Sequence, residues 1–106
     1  MTNLDFDLTV TQDANGARRL ALRGELDLGT AGRLEQALSE SDGAVVLDLR
    51  ELTFMDSTGV RVLLEAAERD GALSMLAPRD GDARVTLEET GIAPLLPLVD
   101  EPDGRA

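Results

Sequence analysis

Leu4, Phe6, Leu8 and Val10 alternate with Asp5, Asp7, Thr9 and Thr11, the period of two that gives a strand one apolar face. Asn15-Gly16 follows. That dipeptide tolerates positive φ at both central positions of a tight turn, so a hairpin is predicted. Its return strand sets Leu20, Leu22, Gly24 and Leu26 on one face and Ala21, Arg23 and Glu25 on the other. The period then lengthens. Ala31, Leu34, Ala37 and Leu38 recur at helical spacing with Arg33, Glu35 and Glu40 turned away. Thr30 stands in place to cap this first helix, and Asp42-Gly43 to end it.

Residues 44–49 form a short run that is apolar on both faces, which predicts a central strand covered on both sides. Beyond Leu52 and Phe54, a second helix is marked by Val60, Leu63, Leu64 and Ala67, with Arg61, Glu65, Glu68 and Arg69 outside and Asp70-Gly71 closing it. Residues 73–77 read as a strand ending at Pro78. Residues 80–90 read as a third helix with a thin apolar face (Ala83, Thr86, Leu87), stopped by Gly91. Residues 95–99 suit a last strand at a sheet edge, where Pro97 is tolerated. The resulting order, β-β-α-β-α-β-α-(β), is an α/β fold. Its mixed sheet opens with an antiparallel hairpin, and the later strands, joined through helices, are parallel neighbours.

Composition narrows the chemistry. The 106 residues hold no His and no Cys, and all 10 basic residues are Arg. Thiol and imidazole catalysis, Cys-based zinc sites, Schiff bases and a phosphate-loop lysine are all excluded. No cofactor is expected. The formal charge of −11 opposes nucleic acid and anionic membrane as partners and favours a partner with a basic face. Neither a spanning stretch nor a basic-then-apolar leader is visible, so the cytoplasm is the expected location. A monomer is expected, since no apolar seam asks for a second copy. Residues 1–99 are expected to form one domain, and residues 100–106 a mobile acidic tail.

Two carboxylates and a hydroxyl stand out. Asp27 ends Gly24-Glu25-Leu26-Asp27 just past the second strand, and Asp56-Ser57 lie where a parallel strand gives way to a helix. That carboxyl-end region is where open α/β sheets gather functional groups. A Ser at a helix N-terminus, near free amides and the positive end of the dipole, is a reasonable phosphoryl acceptor. Taken alone, Asp and Ser before an apolar helical run are more often plain N-caps, and Asp27 more often a turn residue. A metal-dependent phospho-aspartate receiver using Asp27, Asp48 and Asp56 around Mg²⁺ is a remote third possibility. The absent Lys and the hairpin start weigh against it.

Leu22-Arg23-Gly24-Glu25-Leu26-Asp27, and further on Leu49-Arg50-Glu51-Leu52-Thr53-Phe54-Met55-Asp56-Ser57-Thr58-Gly59-Val60, resemble the STAS domain, and within it the bacterial anti-sigma factor antagonists. Thr90-Gly91-Ile92 also fits that family's stop after its third helix, so the resemblance covers residues 4–99. It implies a STAS-like two-layer α/β fold without catalysis, acting by partner switching in transcription regulation. In that family the Ser after the Asp is phosphorylated by an ATP-binding serine kinase that is itself the anti-sigma factor, and a serine phosphatase reverses the step. Carried over, Ser57 is the acceptor, Asp56 its flanking carboxylate and Asp27 the acidic residue of the neighbouring loop. Thr58 and Gly59 complete the segment. The alternative within the fold is an unphosphorylated STAS adaptor or small-ligand module. The chain departs from the common pattern at Thr58, where a second Ser is frequent, at Arg61, where a small residue is usual, and at Leu28-Gly29, where polar residues are common.

Overall fold

The computed structural model describes residues 6–69 and 72–99. Leu4, Asp70-Gly71 and the expected tail at 100–106 lie outside the described residues. Strand β1 (Phe6–Gln12) pairs antiparallel with β2 (Arg18–Leu26). Helix α1 (Ala31–Ser39) leads to β3 (Val45–Met55), which runs parallel to β2. Helix α2 (Ser57–Ala67) leads to β4 (Leu73–Leu76), parallel to β3. Helix α3 (Gly81–Glu89) and a short 3₁₀ turn (Ala93–Leu95) complete the chain. The sheet order is β1-β2-β3-β4, so the mixed sheet with an antiparallel opening and parallel remainder is as expected.

Alternation sends Leu20, Leu22 and Leu26 of β2 and Val45, Leu47 and Leu49 of β3 into one core. There they meet Ala31, Leu34, Ala37 and Leu38 of α1. The apolar face of α2 is rotated from the expected one. Val62 and Ala66 are buried with Leu63, while Val60, Leu64 and Ala67 are only partly covered. The stripe turns because α2 faces both β3 and α1, and the residues nearest that corner sink deepest.

The hairpin turn is wider than Asn15-Gly16 suggests. Only Gly16 has positive φ, at 85°, and no non-glycine residue among those described has one. Asp13 organises the loop instead. Its carboxylate accepts from the amides of Asn15 and Ala17, each at 2.9 Å, and its own amide donates to the Ala17 carbonyl. The side-chain acceptor at Asp13 makes a five-residue loop cheaper than the mirror-image two-residue turn.

Strand β3 is longer than the apolar run 44–49, and its second face is not apolar. Asp48 lies there under two guanidinium groups, 2.7 Å from Arg19 Nη2 and 2.9 Å from Arg50 Nη2. Burial alone would raise its pKa, but the hydrogen bonds from Arg50 and Arg19 outweigh it and hold the carboxyl at about 2. The last strand contracts too. Residues 93–95 are 3₁₀, and only Leu98 bridges to Met75 of β4, in parallel sense. Pro97 has no N–H to extend a ladder, so its carbonyl takes the Met75 amide and the pairing stops within a residue.

Candidate functional site

The C-terminal ends of β2 and β3 bring two loops together. Beyond Leu26, Asp27 folds the chain back on itself. Its Oδ1 accepts from the Gly29 amide at 3.0 Å, and its carbonyl accepts from the amides of Thr30 and Ala31. Thr30 therefore does not cap α1 through its side chain, as expected from sequence. Its buried hydroxyl donates to the Glu25 carbonyl at 2.8 Å and accepts from the Asp27 amide at 2.9 Å. The loop is stapled from inside, because a fully buried hydroxyl must find its partners in the chain that encloses it.

Asp56 joins this loop to α2. Its Oδ1 accepts from the Gly59 amide at 3.0 Å, the N-cap bond of α2, and its Oδ2 accepts from the Leu28 amide at 3.3 Å. Its own amide donates to the Leu26 carbonyl. The capping reading of Asp56 holds, and the same carboxylate also ties the Leu28 loop to α2. Gly59 is required for this approach. A Cβ there would stand 2.6 Å from the Leu26 carbonyl oxygen and 2.7 Å from Met55 Cγ, distances no side chain tolerates.

Ser57 is the first residue of α2 and is exposed. Its hydroxyl makes no hydrogen bond among the described residues, and the first-turn amides lack intrahelical acceptors. Thr58 is half-buried beside it. Leu28 shares this end of the molecule and is 79% exposed, although its backbone is pinned by Asp56. Arg61, one turn further, does not project freely. Its Nη1 lies 2.9 Å from Glu65 and 3.6 Å from Glu35 of α1, and these carboxylates raise its pKa above the ordinary value.

The structure thus brings Asp27, Asp56, Ser57, Thr58 and Gly59 together, with Arg61 on the same helix. It does not bring Asp48 to them. Asp48 lies more than about 20 Å up β3 from Asp56 and is taken by Arg19 and Arg50. Among the described residues no group of three or more acidic side chains is placed to hold a metal ion, so the Mg²⁺ receiver has no acidic triad. Thr30 stands at the N-cap position of α1 expected from sequence, but its hydroxyl turns into the loop instead of onto the helix amides. Leu28 stood out in the sequence only as a departure, and the exposure of an apolar side chain on a pinned loop is visible only in three dimensions. No helix among the described residues is long and apolar enough to cross a membrane.

Comparison with known proteins places this geometry. The anti-sigma-F factor antagonist RsfB of Mycobacterium tuberculosis is 39% identical over 69 residues, which span 60% of this chain and 57% of that protein. The crystal structure of an anti-sigma factor antagonist from Mycobacterium paratuberculosis superposes with a TM-score of 0.76 at 26% identity, covering 99% of this chain and 93% of that one. The antagonist SpoIIAA in its unphosphorylated form shares the fold, with a TM-score of 0.64 at 20% identity over 93% of this chain and 91% of its own. The family described as "Mlab, STAS domain" matches residues 10–97, and the chain belongs to the STAS domain family.

Proposed function

We propose that this protein is an anti-sigma factor antagonist whose unphosphorylated form binds an anti-sigma factor with serine-kinase activity and frees a sigma factor. Phosphorylation of Ser57 ends that binding, and a serine phosphatase restores it. The observation that carries the reading is the state of Ser57, an exposed hydroxyl without a hydrogen-bond partner among the described residues at the first position of α2, beside Asp56 and the loop of Asp27. The 39% identity to a protein named as an anti-sigma-F factor antagonist supports it.

In the transfer, Ser57 Oγ attacks the γ-phosphorus of the kinase's ATP. The bond to ADP breaks, and the hydroxyl proton leaves to a base on the kinase. The phosphate adds a charge of about −1.5 to −2 at neutral pH. The helix N-terminus accommodates it locally, so the fold does not change. Desolvating this charge beside Asp27 and Asp56 at the contact surface opposes docking. A loss of about 3 kcal/mol would weaken binding more than a hundredfold.

Titration calorimetry of the chain with its cognate anti-sigma kinase, with and without ATP, tests the reading. Ser57→Ala should bind as the wild type does and take no phosphate, while Ser57→Asp should bind at least about a hundredfold more weakly. Equal binding by the three proteins overturns the switch. It would favour the second reading, an adaptor or small-ligand STAS module. The feature that supports that reading is a groove of about 240 Å³ between α1 and α2, floored by Leu38, Val62 and Ala66.

A further inference from the structure

Ser57 and Arg61 occupy positions i and i+4 of α2, so their side chains lie one above the other on the same helix face, with Cβ atoms about 5–6 Å apart. The guanidinium now rests on Glu65 and Glu35, and the N-terminal tilt of helical side chains lets another rotamer of Arg61 reach back toward the first turn. An acidic group four residues N-terminal to a basic one is also the favoured order of such a pair. Arg61 is the only basic residue in the first two turns of α2. Carboxylates gather around this turn: Asp56 as the cap, Asp27 on the loop that Asp56 holds, and Glu65 of α2 and Glu35 of α1 against Arg61.

The present partners of Arg61 are weak competitors. Arg61 is 52% exposed, and Glu35 and Glu65 are 46% and 56% exposed, so each pair is screened by water. Exposed ion pairs of this kind are weak, because water screens the charges and both long side chains lose freedom to hold one geometry. A phosphoryl group offers up to twice the charge of one carboxylate and three acceptor oxygens that a guanidinium engages in a fork.

Resting on the assignment of Ser57 as phosphoryl acceptor, we propose that Arg61 is a built-in phosphoserine clamp. On phosphorylation its guanidinium leaves Glu35 and Glu65 and closes on the phosphate, breaking the ion pair that links α2 to α1. The phosphorylated state then differs from the unphosphorylated one at two places, the capped end of α2 and the α1–α2 seam. A partner enzyme meets the phosphate with one edge already occupied by Arg61.

Installing phosphoserine at position 57 by genetically encoded incorporation tests this in the full chain without any kinase. The readouts are the ³¹P chemical shift followed through a pH titration and the Arg61 Nε–H resonance. The Nε–H resonance should shift on phosphorylation at pH 7.5. The second pKa of the phosphate should rise by about half a unit when Arg61 is replaced by Gln. Arg61→Lys should restore part of that difference, and Glu65→Gln, which frees Arg61, should lower the phosphate pKa further. The helix N-terminus and Asp56 act alike in all these proteins and cancel in the comparison. Phosphate pKa values that agree within about 0.1 unit between the wild type and Arg61→Gln would falsify the clamp. If the clamp is seen but the anti-sigma factor binds the phosphorylated and unphosphorylated chains equally, the partner switch fails and the clamp stands.

Discussion

Thr30 is fully buried, and its hydroxyl donates to the Glu25 carbonyl while accepting from the Asp27 amide. Replacing it with Val keeps the volume but strands both backbone groups. Thr30→Val should lower the unfolding free energy by about 1–3 kcal/mol, read from urea denaturation. Thr30→Ser, which keeps the hydroxyl, should recover part of the loss, and equal stability of Thr30→Val and wild type would show the hydroxyl is dispensable. Asp56 works differently. Its two oxygens divide between the α2 cap and the Leu28 amide, so one side chain fixes both the first turn of α2, where Ser57 sits, and the neighbouring loop. That an Asp before Ser-x-Gly caps a helix is legible in sequence, because the cap partner is three residues away. Its second bond to a loop 28 residues earlier is not.

The end of β3 shows how an element is shaped by its neighbours. Its buried apolar residues run Val45, Leu47, Leu49 at the strand period, then step by three to Leu52 and Met55. The pairing with β2 slips at two points, between Ala21 and Arg23 and between Gly24 and Glu25. Each slip gives β3 one more residue than its partner and rotates the next apolar side chain back to the core. From the sequence alone, the broken alternation after Leu49 reads as the strand's end. These steps deliver Met55 and Asp56 to the point where α2 must start against the Leu26 carbonyl. Only glycine fits at position 59, so Gly59→Ala should cost about 2–3 kcal/mol by displacing the first turn of α2. Gly32→Ala in α1, where an added Cβ meets nothing within 4 Å, should instead raise stability by up to about 1 kcal/mol. Thermal unfolding of the two variants side by side checks the contrast, and equal shifts would mean the close approach at Gly59 is relaxed.

Taken together, the molecule carries a charge of −11, yet the one buried carboxylate among the described residues, Asp48, is neutralised by Arg19 and Arg50. The depressed pKa of Asp48, about 2 against an ordinary 3.8, means the folded state holds this proton less tightly than the unfolded chain. Its stabilisation is therefore complete above about pH 5 and lost as pH falls through 4 toward 2. Asp48→Asn should be less stable than wild type at pH 7, by about 1–2 kcal/mol, and the gap should close near pH 2. A constant gap in denaturation midpoints from pH 7 to pH 2 would remove Asp48 from the acid response. The hairpin, the three helices, the parallel crossovers and the Asp-Ser-x-Gly segment were legible along the chain because each rests on near neighbours: a period of two or 3.6, a turn dipeptide, a cap. Tertiary structure alone decided the ion triad at Asp48, the rotation of α2, the contraction of the last strand and the meeting of the Leu28 loop with Asp56. Those depend on pairing register and close approach between segments far apart in the chain, which local periodicity does not encode.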